Sequence, residues 1–220
     1  MIEAIAPTDS IRRAYDYASS FYGRLIAPLE RKPRLRGLAL AAIQPSDIVL
    51  EVAVGPGATF LEIIKKVNRS NTVHAVDLSP KMVNATRRLI KAAGYSNFDL
   101  HVADARQLPF QDETFDVVYN SYMLDLTLLN DIPVVLGEFR RILKPGGRLI
   151  LVNMSKPHDN SLTWFEQLYS RLPAGWVPYL FGGCRPVLME IPLKAVGFCN
   201  IKREYLRHIM PSEIVLANKC

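Results

Sequence analysis

Val49-Leu50-Glu51-Val52-Ala53-Val54-Gly55-Pro56-Gly57-Ala58-Thr59-Phe60 is the stretch whose reading decides the fold. An apolar run enters a Gly-Pro-Gly turn and passes straight into a helical pattern, so it reads as strand, tight loop, helix. A continuous apolar run suits a parallel strand covered on both faces, and the glycines let backbone N–H groups at the helix start approach a ligand. Glu51 is the misfit, because a carboxylate inside an apolar strand costs free energy unless a cation or a hydrogen-bond donor meets it. A dinucleotide turn would read G-x-G-x-x-G/A, but Phe60 stands three places after Gly57, where close helix–strand packing needs a small side chain. A nicotinamide-dependent oxidoreductase is therefore the alternative enzyme, and a nucleotide-binding protein without catalysis is a third reading.

Outward from this turn the chain alternates strand and helix. Thr72–Asp77 reads as a second strand, and Ser79-Pro80 caps a helix over Lys81–Ala93 that stops at Gly94. Such a β-α-β unit has a right-handed crossover and parallel strands. Asp77 falls at the tip of the second strand, 22 residues beyond Gly55, where doubly wound folds place an acid that accepts from ribose hydroxyls. Phe98–Ala103 is a third strand ending in Asp104-Ala105, and an acid there suits an exocyclic adenine amine. Phe115–Asn120 is strand four, Ile132–Leu143 a helix, and Arg148–Val152 strand five, with Lys144-Pro145-Gly146-Gly147 as the turn between. Further on, the pattern predicts a helix in 153–172, a helix over Pro186–Ala195, and strands over Cys199–Tyr205 and Glu213–Asn218. Before strand one, Ser10–Leu29 has amphipathic helical spacing, with Ser10 as its N-cap and Pro28 and Pro33 as breaks.

Composition sets the bounds. A chain of 220 residues, 49% hydrophobic and 22% charged, suits one globular domain, divided here into an N-terminal helical lid (1–44), a cofactor half (45–153) and an acceptor half (154–220). Met1–Pro7 lacks a basic segment followed by an apolar core, and no run of eighteen apolar residues occurs, so a cytoplasmic protein is expected. Cys184, Cys199 and Cys220 are odd in number and widely spaced, which argues against a metal site or a disulfide framework. The net charge of +6 is concentrated near the start: between Ile11 and Leu40, seven cations face Asp16 and Glu30, interleaved with tyrosines and aliphatics. That segment can cover a pocket or lie peripherally on a membrane. Nucleic acid is not expected as a partner, since no recognition module is present, although an RNA-directed enzyme is the runner-up.

Glu51-x-Ala53-x-Gly55-x-Gly57 resembles the first motif of class I S-adenosylmethionine-dependent methyltransferases, E/D-x-G-x-G-x-G, with Ala53 in place of its first glycine. His74–Ser79, Asp104-Ala105 with Leu108-Pro109-Phe110, Phe115–Val118 and Arg140–Gly147 resemble the family's later motifs in order and spacing. They are most similar to the branch of ubiquinone/menaquinone-biosynthesis and bacterial phospholipid N-methyltransferases. The resemblance implies a Rossmann-like α/β fold: a seven-stranded, mostly parallel sheet with its last strand antiparallel, and helices on both faces. It implies S-adenosyl-L-methionine held by Glu51, Ala53, Gly55, Asp77, Leu78, Met82, Asp104, Ala105 and Asn120. It also implies Tyr22, from the lid pattern Tyr15, Ser19, Tyr22, Gly23, at the cofactor carboxylate or in catalysis. The acceptor would be a small or lipid-like molecule, a quinol or a phospholipid amine, between the lid, the loop 120–125 and the segment 153–185. Sulfonium chemistry needs no obligatory protein base; the one histidine placed to serve is His158, beyond strand five.

Overall fold

The computed structural model describes residues 1–4, 6–18, 27–158, 162–177, 182–207 and 210–220. Seven strands form one sheet in the order β3-β2-β1-β4-β5-β7-β6. They are β1 (Val49–Val52), β2 (Val73–Asp77), β3 (Phe98–Val102), β4 (Phe115–Ser121), β5 (Leu143–Met154), β6 (Phe198–Leu206) and β7 (Ser212–Lys219). β1 to β5 pair in parallel, and β7 runs antiparallel to both β5 and β6. The run Val49–Val52 is central, between β2 and β4, and buried throughout, which is why it carries no alternation of apolar and polar residues.

The helices divide between the two faces. α2 (Ala27–Ala41), α3 (Ala58–Ile64) and α4 (Pro80–Ala92) cover one face through Leu38, Phe60, Ile63, Ile64, Val83 and Ile90. α5 (Ile132–Ile142) and α7 (Glu190–Val196) cover the other through Val135, Leu136, Phe139 and Leu193. The remaining helices among the described residues are α1 (Thr8–Ala18) and the short α6 (Trp164–Tyr169). Among the described residues, no helix is long and apolar enough to cross a membrane.

Several sequence expectations need correction. Ser10 lies inside α1 rather than capping it, and Pro33 sits inside α2 rather than breaking it. Lys144-Pro145-Gly146-Gly147 forms an irregularity within β5, because Phe115 pairs with Leu143 while Val117 already pairs with Arg148. Pro186–Met189 precedes α7 instead of belonging to it, held by the bond from Val187 N–H to the Met154 carbonyl. Cys199 and Cys220 are joined as a disulfide across the β6/β7 edge, with 6.0 Å between their Cα atoms, so two of the three thiols are paired; counting cysteines cannot foresee two meeting across adjacent strands.

Candidate functional site

The Gly-Pro-Gly turn is built by two backbone demands. Gly57 takes φ +90°, and a Cβ there would stand 2.8 Å from the Thr86 hydroxyl oxygen and 3.1 Å from its Cα, so α3 and α4 approach this closely only with glycine between them. Thr86 in turn donates its hydroxyl to the Gly55 carbonyl at 2.8 Å, fixing the loop from behind. Ala53 and Tyr122 have φ +59° and +53°, left-handed conformations that cost a side-chain-bearing residue of order 1 kcal/mol. They sit just beyond the ends of β1 and β4, and both line the same cleft.

That cleft encloses about 1010 Å³ of empty space, part of it open to solvent, at the C-terminal edge of the sheet. Ala53, Gly55, Asp77, Leu78, Met82, Asp104 and Ala105 all line it. Asp77 accepts the Gly55 N–H on Oδ2 and the Ser79 N–H on Oδ1, both at 2.8 Å. One carboxylate thereby ties the tip of β2 to the turn after β1. Burial raises its pKa to about 6, against the two backbone donors that favour its charge. The Ser79 hydroxyl donates to Asp16 of α1 and accepts the Met82 N–H as the cap of α4, so α1 is fastened across this end of the cleft.

Asp104 is already engaged. Arg106 reaches its carboxylate through Nη2 at 2.7 Å and Nε at 3.1 Å, and extends Nη1 to Asp131 at 3.0 Å. The hydrogen bond from Arg106 is the main reason that Asp104 titrates below the usual carboxylate range. Both Arg106 and Asp131 belong to the cleft wall. Neither stood out in the sequence; the spacing of Arg106 two places after an acid was the available sign.

Glu51 and Asn120 lie behind the cleft lining. Glu51 is buried in the central strand, its Oε2 has no hydrogen-bond partner among the described residues, and burial raises its pKa well above the usual value against the opposing charge of Arg34. The cation that Glu51 demands therefore comes from α2. Arg34 also lines the cleft, pairs with Glu30 at 2.5 Å and lies over the Tyr122 ring at 5.4 Å. The Tyr119 hydroxyl donates to the Arg34 carbonyl at 2.9 Å, and a Cβ at Gly37 would stand 2.9 Å from the Tyr119 hydroxyl oxygen, so α2 presses onto the sheet here. Asn120 donates Nδ2 to the Val52 carbonyl and ties β4 to β1, while its Oδ1 is unpartnered among the described residues.

Tyr22 falls outside the described residues, as do Ser19 and Gly23 of the same pattern. His158 is exposed on the loop after β5. The remaining described histidines are accounted for by the β2/β3 edge: His101 bonds Asp99 at 2.8 Å, and His74 packs edge-on against Phe110 and Phe115. Among the described residues no group of carboxylates, histidines and cysteines is arranged to hold a metal ion.

A second polar centre, absent from the sequence reading, lies behind the loop after β4. Asp125 is fully buried; its Oδ2 accepts the Met154 N–H at 2.9 Å and its Oδ1 is unpartnered among the described residues. Burial raises its pKa to about 7, and the nearby Glu30 adds to the shift while Arg185 opposes it. Arg185, also fully buried, donates to the carbonyls of Ile2, Asp125 and Thr127 at 2.7–2.9 Å. The neighbouring Asn153 is buried with neither amide atom paired among the described residues.

Comparison with known proteins gives the architecture a context. The pattern of a methyltransferase domain matches residues 49–147. Over 134 residues the chain is 32% identical to the ubiquinone/menaquinone biosynthesis C-methyltransferase of Teredinibacter turnerae, covering 60% of this chain and 53% of that protein. Over 173 residues it is 30% identical to the 2-phytyl-1,4-naphtoquinone methyltransferase of Synechococcus elongatus, covering 76% and 73%. The chain thus spans about half of the first relative and nearly three quarters of the second. In fold it is similar to the N-methyltransferase NodS of Bradyrhizobium japonicum, solved with S-adenosyl-L-homocysteine, at TM-score 0.74 and 14% identity over 96% of this chain and 99% of that one.

Proposed function

Since the chain belongs to the class I S-adenosylmethionine-dependent methyltransferase family, we propose that it transfers a methyl group from S-adenosyl-L-methionine to a quinol-type acceptor. The observation that carries this reading is the single cleft that gathers Ala53, Gly55, Asp77, Leu78, Met82, Asp104 and Ala105 past the ends of three adjacent strands. In this reading Asp77 accepts the ribose hydroxyls, since each of its oxygens keeps a lone pair after taking one backbone N–H. Met82 packs on the adenine. Asp104 accepts the exocyclic amine, with Asp131 retaining Arg106 when Asp104 is claimed. Glu51 Oε2, which has no hydrogen-bond partner among the described residues, is an acceptor for the amino group from behind the cleft lining, and the Arg34 guanidinium in the cleft wall supplies a positive charge for the carboxylate, so the residues present fit the cofactor.

The bound cofactor supplies an electrophilic methyl on a sulfonium. The chain's own task is to hold the acceptor in line and to exclude water. Tyr122, Met123, Leu126 and Thr127, from the loop after β4, form an apolar wall suited to a ring-bearing acceptor. Of the two relatives described above, one is named for ubiquinone/menaquinone biosynthesis and the other for 2-phytyl-1,4-naphtoquinone, which favours a quinol over a phospholipid amine. His158, on the loop after β5, is the candidate base in this reading, and the family resemblance assigns Tyr22 to the cofactor carboxylate. The protein works at the membrane periphery, where such acceptors dissolve.

Calorimetric titration with S-adenosyl-L-homocysteine and with NAD tests the cofactor assignment: binding of NAD alone refutes it. A transfer assay with labelled cofactor against quinol precursors, phosphatidylethanolamine and tRNA tests the acceptor. Label is expected in the quinol fraction, and label confined to tRNA overturns the proposal.

A further inference from the structure

Four of the eight exposed large hydrophobic side chains among the described residues fall within fifteen positions: Leu162 at 52% exposure, Trp164 at 75%, Leu168 at 41% and Trp176 at 63%. Isolated exposed hydrophobics are ordinary, but a cluster marks an interaction surface. Its base is firm. Glu166, on the inner side of α6, is buried, pairs with Lys156 at 3.0 Å and closes a capping box with Thr163, and the buried Tyr169 donates its hydroxyl to the Gly183 carbonyl at 3.1 Å. The outer side projects Trp164 and Leu168, one helical turn apart.

The same anchor leads back to the cleft. A methyl group added at Gly183 would stand 3.3 Å from Leu126 of the cleft wall and 3.6 Å from Ile11 of α1. The base of the patch therefore adjoins the cleft wall and α1, and Arg13 of α1 and Arg31 and Lys32 of α2 are exposed. Within 162–177 the exposed charge is Arg171, and the acid Glu166 is buried in its pair. Exposed tryptophans with a polar indole N–H, an adjoining cation and a chain of net charge +6 are the composition that settles at the headgroup level of an anionic membrane.

We propose that residues 162–177 form a docking face for an anionic lipid bilayer, holding the cleft at the membrane surface. The quinol reading gives this face its purpose, delivery of an apolar acceptor, but the geometry stands without it. Trp164 and Trp176 are the only tryptophans of the chain, so intrinsic emission reports on this face alone. On titrating the full chain with phosphatidylglycerol/phosphatidylcholine vesicles, tryptophan emission shifts to the blue and the protein sediments with the vesicles, while phosphatidylcholine alone gives a much weaker response. The double variant Trp164→Gln/Trp176→Gln loses vesicle association by about tenfold or more, and still binds S-adenosyl-L-homocysteine as the parent does. Unchanged emission and no sedimentation with anionic vesicles, in protein that binds S-adenosyl-L-homocysteine, overturns the proposal. A concentration-dependent blue shift without vesicles, accompanied by dimers in sedimentation velocity, also overturns it by assigning the face to a second copy. Protein that docks on vesicles but binds no S-adenosyl-L-homocysteine supports the docking face and refutes the cofactor assignment instead.

Discussion

Asp77 ties the tip of β2 to the glycine turn and, in the proposed function, also holds the cofactor. Its oxygens receive the Gly55 and Ser79 N–H groups, and in the proposed function they also receive the ribose. Asp77→Ala removes two charge-assisted hydrogen bonds to the cofactor, each worth about 1.5–3 kcal/mol before compensation. Calorimetry should register at least a tenfold weaker affinity for S-adenosyl-L-homocysteine; an unchanged dissociation constant in folded protein refutes the role. Asp125 makes a prediction about pH. Its folded pKa of about 7 lies above the ordinary unfolded value near 3.9, so the folded state binds the proton more tightly. Its contribution to stability is greatest below the unfolded value and is lost as pH rises towards 7, with Glu30 and Arg185 as the facing charges. Asp125→Asn keeps an acceptor for the Met154 N–H and removes the titration. Denaturant midpoints should therefore fall less between pH 5 and pH 8 in the variant than in the parent, and Asp77, Glu51 and Glu213, raised in the same direction, account for the slope that remains. Parallel pH profiles would contradict this account.

Elements meet here at positions where one residue has no substitute. α3 and α4 touch at Gly57, and Gly57→Ala forces a methyl group against Thr86 in a backbone conformation that disfavours side chains. A loss of about 1–3 kcal/mol is expected in chemical denaturation, with cofactor affinity reduced because the turn carrying Gly55 shifts as well. An equally stable variant with native affinity would show that α4 can retreat. Arg185 is the corresponding clamp behind the loop after β4, joining it to the N-terminal residues and the segment leading into α7. Arg185→Met leaves three carbonyls without their donor and should cost about 3 kcal/mol or more, whereas Arg185→Lys should recover only part of the loss, since an ammonium cannot span three carbonyls held by a planar fork.

For the whole molecule, ligand and fold are linked by mass action. A cofactor that binds the folded chain alone stabilises it by about 2.7 kcal/mol at a hundredfold excess over the dissociation constant. The melting temperature should climb with S-adenosyl-L-homocysteine concentration and stay flat with NAD. A rise with NAD alone would return the wholly buried Phe60 to question as the mark against a dinucleotide turn.

Residues 49–60 determined the architecture by themselves: an apolar run too continuous for an exposed strand and a glycine turn at its end require a covered parallel strand feeding a helix. Spacing alone likewise put Asp77 and Asp104 at neighbouring strand tips, because consecutive β-α units in a parallel sheet end on the same edge. What met Glu51 was decided only in three dimensions, since Arg34 precedes it by seventeen positions on a helix whose approach is set by Gly37 and Tyr119. The pairing of Arg106 with Asp131, the buried Asp125 with its Arg185 clamp, and the disulfide between Cys199 and Cys220 have the same origin. Local periodicity records which residues must be buried. Which charges then share a buried space depends on contacts between distant segments, and no window along the chain contains them.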